Sequence, residues 1–251
     1  ATPTIDIAVA NYNNGRYLGE LIHSVLNQTN GNWHLIIVDD ASTDNSYEII
    51  SPFLGDHRIE LVQHPHNQGA TASFKTAIEK GTGQYVALLG ADDTLPENCI
   101  ERLLEYFIST PQASTVYTNA NNAIKDALCA TLATHKPLRT DHPIYTQINS
   151  VFNLIAFKRS AYDQTEGLNP ALRRAMDHDL IYKLDEVGRI EHLPEALYNY
   201  RVHEEGISQG GKNGQIAFQY AFLAKLHCWQ RRGLAWHKSS ESRKACSTFH
   251  L

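Results

Sequence analysis

Two pairs of adjacent carboxylates and one later acidic cluster are the groups in this chain best placed to do chemistry. Asp92-Asp93 closes the apolar run Tyr85-Val86-Ala87-Leu88-Leu89-Gly90-Ala91, and Asp39-Asp40 closes Trp33-His34-Leu35-Ile36-Ile37-Val38. Asp177-His178-Asp179 stands directly before Leu180, Ile181, Leu184 and Val187. A buried strand that stops at two carboxylates sets hard oxygen ligands at the rim of a sheet, where α/β proteins bind their ligands. Mg²⁺ and Mn²⁺ take such oxygens and commonly share them with phosphate oxygens. The pattern therefore predicts a divalent cation held by Asp92 and Asp93 against a diphosphate. The bland alternative is a solvated strand-to-helix turn. His64-x-His66 reads as plain loop, because two imidazoles alone make a poor zinc site.

The elements that must position these groups alternate regularly in the first half. Strand patterns cover 4–10, 33–38, 59–62, 85–90 and 115–117. Helical spacing follows in Leu18, Leu21, Ile22, Val25 and Leu26, again across 70–80, and in Ile100, Leu103, Leu104 and Phe107. Pro96 suits the first turn of that last helix, and Ser42-Thr43-Asp44 supplies capping residues. Strand–helix alternation implies α/β architecture with a mostly parallel central sheet and right-handed crossovers. If all strands point one way, Asn11-Tyr12, Asp39 and Asp92-Asp93 share one carboxyl edge. After about residue 119 the pattern weakens. Residues 121–141 read as loops or short edge elements, 152–157 as a strand completing the sheet, and 190–193 and 196–202 as edge strands. Asp177 falls in the first turn of a helix, and 213–232 is a long amphipathic helix before a polar tail.

Composition narrows the class. At 251 residues with 42% hydrophobic content, the chain can bury a full core and suits one large α/β domain. A net charge of −5 argues against broad nucleic-acid binding, which needs a basic surface. Cys99, Cys129, Cys228 and Cys246 are too dispersed for a zinc knuckle or a disulfide frame and suggest reduced thiols. With no visible signal peptide and no run long enough to span a bilayer, the expected location is cytoplasmic, with peripheral association at the inner membrane face compatible with the long helix. That helix can equally pack on the core or pair with a second copy.

Seven short stretches, in order, carry a resemblance. They are Ala10-Asn11-Tyr12-Asn13, Ser24-Val25-Leu26-Asn27-Gln28-Thr29, Leu35-Ile36-Ile37-Val38-Asp39-Asp40-Ala41-Ser42-Thr43-Asp44, Asn67-Gln68-Gly69, Leu89-Gly90-Ala91-Asp92-Asp93, Asp177-His178-Asp179-Leu180 and Tyr200-Arg201-Val202-His203. Together they resemble the family 2 inverting glycosyltransferases, which have the GT-A nucleotide-sugar fold: a Rossmann-like nucleotide-binding half and an acceptor-side half. The likeness implies a catalytic domain over 1–208, its nucleotide-binding half about 1–119 and its acceptor half about 120–208, with a helix and tail at 209–251. Two positions depart from the family pattern. Gly90 stands where the first Asp of Asp-x-Asp-Asp is usual, which removes an expected ribose contact. Met176 stands where a Glu often precedes Asp177.

The resemblance also implies roles. Asp39 corresponds to the residue that accepts the uracil imide hydrogen; otherwise it is a turn Asp. Ala10, Asn11 and Tyr12 would line the base pocket, with a polar turn as the alternative. Asn67 and Gly69 precede a helix start whose amides favour an anion, though a plain capping turn fits them too. Asp93 matches the more direct metal ligand, and Asp92 a contact to metal or ribose. His203 matches a position near the metal or diphosphate, or is a loop histidine. Inversion needs one base on the acceptor side, which Asp177 would supply; an N-cap role is its alternative. Asp179 reads as structural. The implied cofactor is Mn²⁺ or Mg²⁺, the donor a UDP-sugar, the acceptor a hydroxyl of a glycan or lipid-linked glycan, and the setting cell-surface polysaccharide synthesis. The competing reading is a non-catalytic nucleotide-sugar or glycan-binding module. A Mg²⁺-dependent phosphoryl-transfer protein is weakened by the lack of a phosphate-cradling glycine loop.

Overall fold

A computed structural model describes residues 3–124, 127–133, 144, 154–202 and 211–234. The chain order is β1 (Ile5–Asn11), α1 (Gly15–Leu26), β2 (Trp33–Asp39), α2 (Ser46–Ile50), β3 (Ile59–Gln63), α3 (Ala70–Lys80), β4 (Tyr85–Gly90), α4 (Cys99–Ser109) and β5 (Ala113–Ile124). The second half adds β6 (Ala127–Ala133), β7 (Ile155–Lys158), α5 (Arg159–Tyr162), α6 (Met176–Val187), β8 (Arg189–Val202) and α7 (Gly211–Arg231).

One sheet joins all eight strands, in the order β3-β2-β1-β4-β7-β5-β6 with β8 paired to β5. The alternation in the first half produces what it predicts: β1 lies parallel between β2 and β4, with Asn11 opposite Asp39 and Ala10 opposite Gly90. Two strands break the expectation of a single direction. β7 runs antiparallel between β4 and β5, and β6 runs antiparallel to β5. The crossover through α4 returns the chain in parallel but one strand-width beyond β4, and β7 fills that gap. The strand expected near 152–157 to complete the sheet is β7, Ile155–Lys158, and it does so from inside, between β4 and β5. Of the loops or short edge elements expected past residue 121, the described residues continue β5 and form β6, a short strand at the end of the sheet order. The two segments expected at 190–193 and 196–202 are one strand paired with β5. Its register shifts between Leu193 and Ala196, as required around Pro194, which has no N–H for the ladder.

Both faces of the sheet are covered, so the central strands are apolar throughout. On one face Ile5, Ile7, Val9, Leu35 and Ile37 pack with Leu18, Leu21, Ile22 and Val25 of α1 and Ile100, Leu103 and Phe107 of α4. On the other, Ala8, Ile36 and Val38 pack with Phe74, Ala77 and Ile78 of α3, Leu180, Ile181 and Leu184 of α6, and Ala224 and Cys228 of α7. Pro96 lies in the turn before α4, not in its first helical turn, and its carbonyl accepts the Cys99 N–H at 3.0 Å. Asp44 serves two helix starts: it accepts from the amide of Gly15 at 2.8 Å and from that of Ser46 at 3.1 Å.

The amino edge of the sheet carries its own polar staple. Asp6, 2% exposed, accepts from the amide of Gly83 at 2.7 Å and from Arg159 at 2.6 Å. Arg159 also donates to the carbonyls of Gly83 at 2.8 Å and Ile78 at 2.7 Å. No helix among the described residues is long and apolar enough to cross a membrane.

Candidate active site

The ends of β1 and β2 meet as their register requires. The Asn11 side-chain amide donates to Asp39 Oδ1 at 2.9 Å, and Ser42 donates to the same oxygen at 2.5 Å. Both bonds converge on Oδ1. Asn11 and Asp39 are buried, Ala10 is half-buried and Tyr12 presents its ring to solvent. The loop after β1 is tied to the loop after β2 by Asn13, whose backbone N–H donates to Ser42 Oγ at 2.9 Å and whose side-chain Oδ1 accepts the Thr43 N–H at 2.8 Å.

The next carboxylate faces the opposite way. Asp40 accepts the amides of Gln68 at 2.9 Å and Gly69 at 2.7 Å, and His64 Nδ1 lies 2.7 Å from it. The anion expected at the start of α3 is therefore supplied in part by the chain itself. Burial alone would raise the Asp40 pKa, but the hydrogen bonds from Gln68, His64 and Gly69 outweigh it and leave the carboxyl below its ordinary value. Gly69 has φ of 91°, a left-handed conformation natural to glycine, and Asn67 is exposed beside it.

At the end of β4 the two carboxylates gather over Gly90. A Cβ placed there would lie 2.6 Å from Asp93 Oδ2, 3.0 Å from Asp92 Oδ1 and 3.2 Å from the Tyr198 hydroxyl. The glycine that departs from the family pattern is thus what gives both carboxylates room. Tyr198 accepts the Gly90 N–H at 3.1 Å and donates to Asp93 Oδ2 at 2.5 Å. The Arg201 amide donates to Asp93 Oδ1 at 2.7 Å, and its guanidinium to the Asp92 carbonyl at 2.9 Å. Asp93 is 3% exposed, whereas Asp92 is half-buried. Burial first, and the Asp92 charge second, push Asp93 well above the usual carboxylate range. A pair so arranged favours either a proton or a cation between its members.

The base-candidate helix approaches this turn at an open cleft of about 140 Å³ lined by Gly90, Tyr198, Asp177, Met176, Phe74, Leu88, Leu154 and Ile155. Asp177 is half-buried in the first turn of α6. It is not that helix's N-cap, a position held by Ala175 at φ 53° with no side-chain cap. Met176 extends the apolar wall where the family often has an acid. Among the described residues the non-glycine positions with positive φ are Asn13, Ala41, Leu154 and Ala175; they lie in the strand-end loops or in and next to the cleft lining, where backbone strain tends to be stored.

The donor set suits a hard divalent cation: two convergent carboxylates, with the like charge and burial of Asp93 offset once a cation is present. Among the described residues no group of three or more His, Cys, Asp or Glu side chains encloses a metal. Other ligands would therefore have to come from a bound diphosphate, from water or from His203, which lies outside the described residues. Asn11, Asp39 and the Gly90–Asp93 turn come together on one sheet edge, and Asp177 joins Gly90 in the cleft. Sequence reasoning assigned no role to Tyr198, gave Ser42 only a capping role, and quoted Arg201 only as part of a motif. Alternation along β8 marks Tyr198 as facing one side, but its contact with Asp93 depends on the long-range pairing of β8 with β5. A further bridge between Thr94 and Asn199 holds the two segments together.

This α/β sheet, with its acidic carboxyl edge and facing carboxylate, defines a GT-A-type nucleotide-sugar fold. The chain belongs to glycosyl transferase family 2, whose model matches residues 6–158. It is 29% identical over 241 residues to a hyaluronan synthase of Pasteurella multocida, covering 95% of this chain and 24% of that protein. It thus spans about a quarter of that relative's length. The S. aureus TarS fragment 1–349 in complex with UDP-GlcNAc superposes with a TM-score of 0.73 at 16% identity, over 88% of this chain and 65% of that one. A mannosyltransferase from Pyrobaculum calidifontis in complex with GDP-Man and Mn²⁺ gives 0.63 at 16% identity, over 99% and 79%.

Proposed function

We propose that this chain is a metal-dependent inverting transferase that moves a sugar from a UDP-sugar to a hydroxyl of a glycan or lipid-linked acceptor in surface polysaccharide synthesis. The observation that carries this reading is that Asp177 and Gly90, the residue over which Asp92 and Asp93 gather, line one cleft. The hyaluronan synthase relative and the UDP-GlcNAc and Mn²⁺ complexes of the structural neighbours support it.

Asp39 accepts the uracil imide hydrogen through Oδ2, while Asn11 and Ser42 hold Oδ1 in place. Tyr12 covers the base with its exposed ring. Asp92 and Asp93 would hold Mn²⁺ or Mg²⁺, and His203 would be a further ligand. When bound, the cation offsets negative charge on the leaving diphosphate. Asp177 takes the acceptor's hydroxyl proton as that oxygen bonds to the anomeric carbon, and the bond from that carbon to the diphosphate breaks. Attack from the face opposite the leaving group inverts the centre, and UDP departs. The apolar wall of Phe74, Leu154, Ile155 and Met176 limits water access to the same carbon.

Asp177→Asn is expected to lower transfer about 10²–10⁴-fold, leaving a measurable residual turnover, while retaining UDP affinity measured by calorimetry with Mn²⁺ present. Full transfer activity in that variant refutes the base assignment. UDP bound away from Asp39 and Asp93 in a crystal soaked with UDP and Mn²⁺ refutes the donor site.

A further inference from the structure

The start of α6 has little local support for a helix that carries a proposed catalytic group. Its N-cap is Ala175 in a left-handed conformation, and no side chain caps the first turn. Asp177 and Asp179 are two positions apart, so they leave the helix on nearly opposite sides. One faces the cleft. The other is 1% exposed and buried against α7 and the loop before α6.

Asp179 is held by charge rather than by aligned hydrogen bonds. Lys183 Nζ lies 2.7 Å from Oδ2 and Arg231 Nη1 lies 3.6 Å from Oδ1, yet neither oxygen has a hydrogen bond of good geometry. Lys183 is also tied to the loop before α6, donating to the Gly167 carbonyl at 2.8 Å. Arg231 belongs to α7 and reaches Glu186, one further turn along α6 and more, at 3.0 Å. Its neighbour Arg232 pairs with Asp185 at 2.7 Å. A buried carboxylate stays charged only while its partners stay close, so the position of the first turn of α6 is coupled to that of α7.

We infer that Arg231 is a positioning residue for Asp177, acting through Asp179 from the far side of the same helical turn. The inference rests on the proposal that Asp177 is the base. It assigns the C-terminal helix a part in transfer that its sequence, with no chemistry-bearing motif, does not announce. An ångström of drift at a reacting group can cost about a hundredfold in rate, so loosening this anchor shows in turnover before it shows in donor binding.

The test uses the full chain with UDP-sugar, Mn²⁺ and an accepting glycan. Arg231→Met is expected to lower kcat at least about tenfold, with the donor KM and the calorimetric UDP affinity within about twofold of the parent. Arg231→Lys recovers part of the loss. Asp179→Asn keeps the side-chain volume and carries the same expectation, should Arg231→Met fail to fold. In an Asp177→Asn background, where residual turnover no longer uses the base, Arg231→Met is expected to cost nothing further. A full kcat in both Arg231→Met and Asp179→Asn overturns the inference. So does an equal loss in the Asp177→Asn background, because that marks general destabilisation. The two readings separate cleanly: an active Asp177→Asn variant removes the base assignment, whereas an inactive one beside a fully active Arg231→Met removes only the positioning role.

Discussion

Replacing Gly90 with alanine adds one methyl group at the most crowded point of the site. In most strands that change is mildly favourable, by about 0.4–1 kcal/mol, because alanine has less freedom to lose. Here the new carbon would stand 2.6 Å from Asp93 Oδ2 and 3.0 Å from Asp92 Oδ1, and 3.2 Å from the Tyr198 hydroxyl. Asp93 has to move, and its bond from Tyr198 at 2.5 Å breaks or stretches. Overpacking of this kind costs about 1–3 kcal/mol, and a lost hydrogen bond to a charged group about 1.5–3 kcal/mol. The clash therefore wins, and a net loss of about 2 kcal/mol is expected. For a chain of this length that corresponds to a melting temperature lower by about 4–8 °C. Because the same motion displaces the ligand pair, Mn²⁺ affinity is expected to fall about 10–100-fold. Thermal denaturation and calorimetric Mn²⁺ titration in the presence of UDP read the two effects separately. A Gly90→Ala protein as stable as the parent, with unchanged Mn²⁺ affinity, would falsify the crowding argument.

Tyr198→Phe removes the donor to Asp93 and leaves the Gly90 amide without its acceptor, so a stability loss of about 1–3 kcal/mol is expected by urea denaturation; an unchanged midpoint would show that water replaces the hydroxyl. Asp39→Ala is expected to weaken UDP binding about tenfold or more while sparing Mn²⁺ binding in the absence of nucleotide; equal losses in both would separate Asp39 from base recognition. The Asp40 carboxyl has a pKa below its unfolded value of 3.8, so its stabilisation is present above that value and is lost as pH falls through the lower folded one. The stability gap between the parent and Asp40→Asn should accordingly narrow as pH drops below 3.8, and a gap that widens on acidification contradicts the assignment.

The parallel half of the molecule was legible because its signals are local. Alternating strand and helix periods required β1, β2 and β4 to point together, and that alone brings Asn11, Asp39 and Asp92-Asp93 to one edge. The second half was less legible because its decisive contacts join distant segments. Tyr198 and Asp93 are 105 residues apart, and no spacing rule links them. β7 enters the sheet between β4 and β5, a placement that a strand of four residues cannot announce. Asn119, Asn121 and Asn122 made the end of β5 look like loop, whereas their backbone pairs with β6 and β8. The role of Asp179 was read as structural, and its burial against Lys183 and Arg231 shows what that structure consists of.

The staple at the amino edge has a consequence for how the protein can be divided. Arg159 comes from the later half of the chain, yet it neutralises Asp6 on the first strand. A fragment ending near residue 119 would retain the first strands but leave an anion uncompensated in their interior, a defect worth about 3–5 kcal/mol. The later segment is thus a folding partner of the parallel strands, so its loops can be recast but the segment itself cannot be discarded.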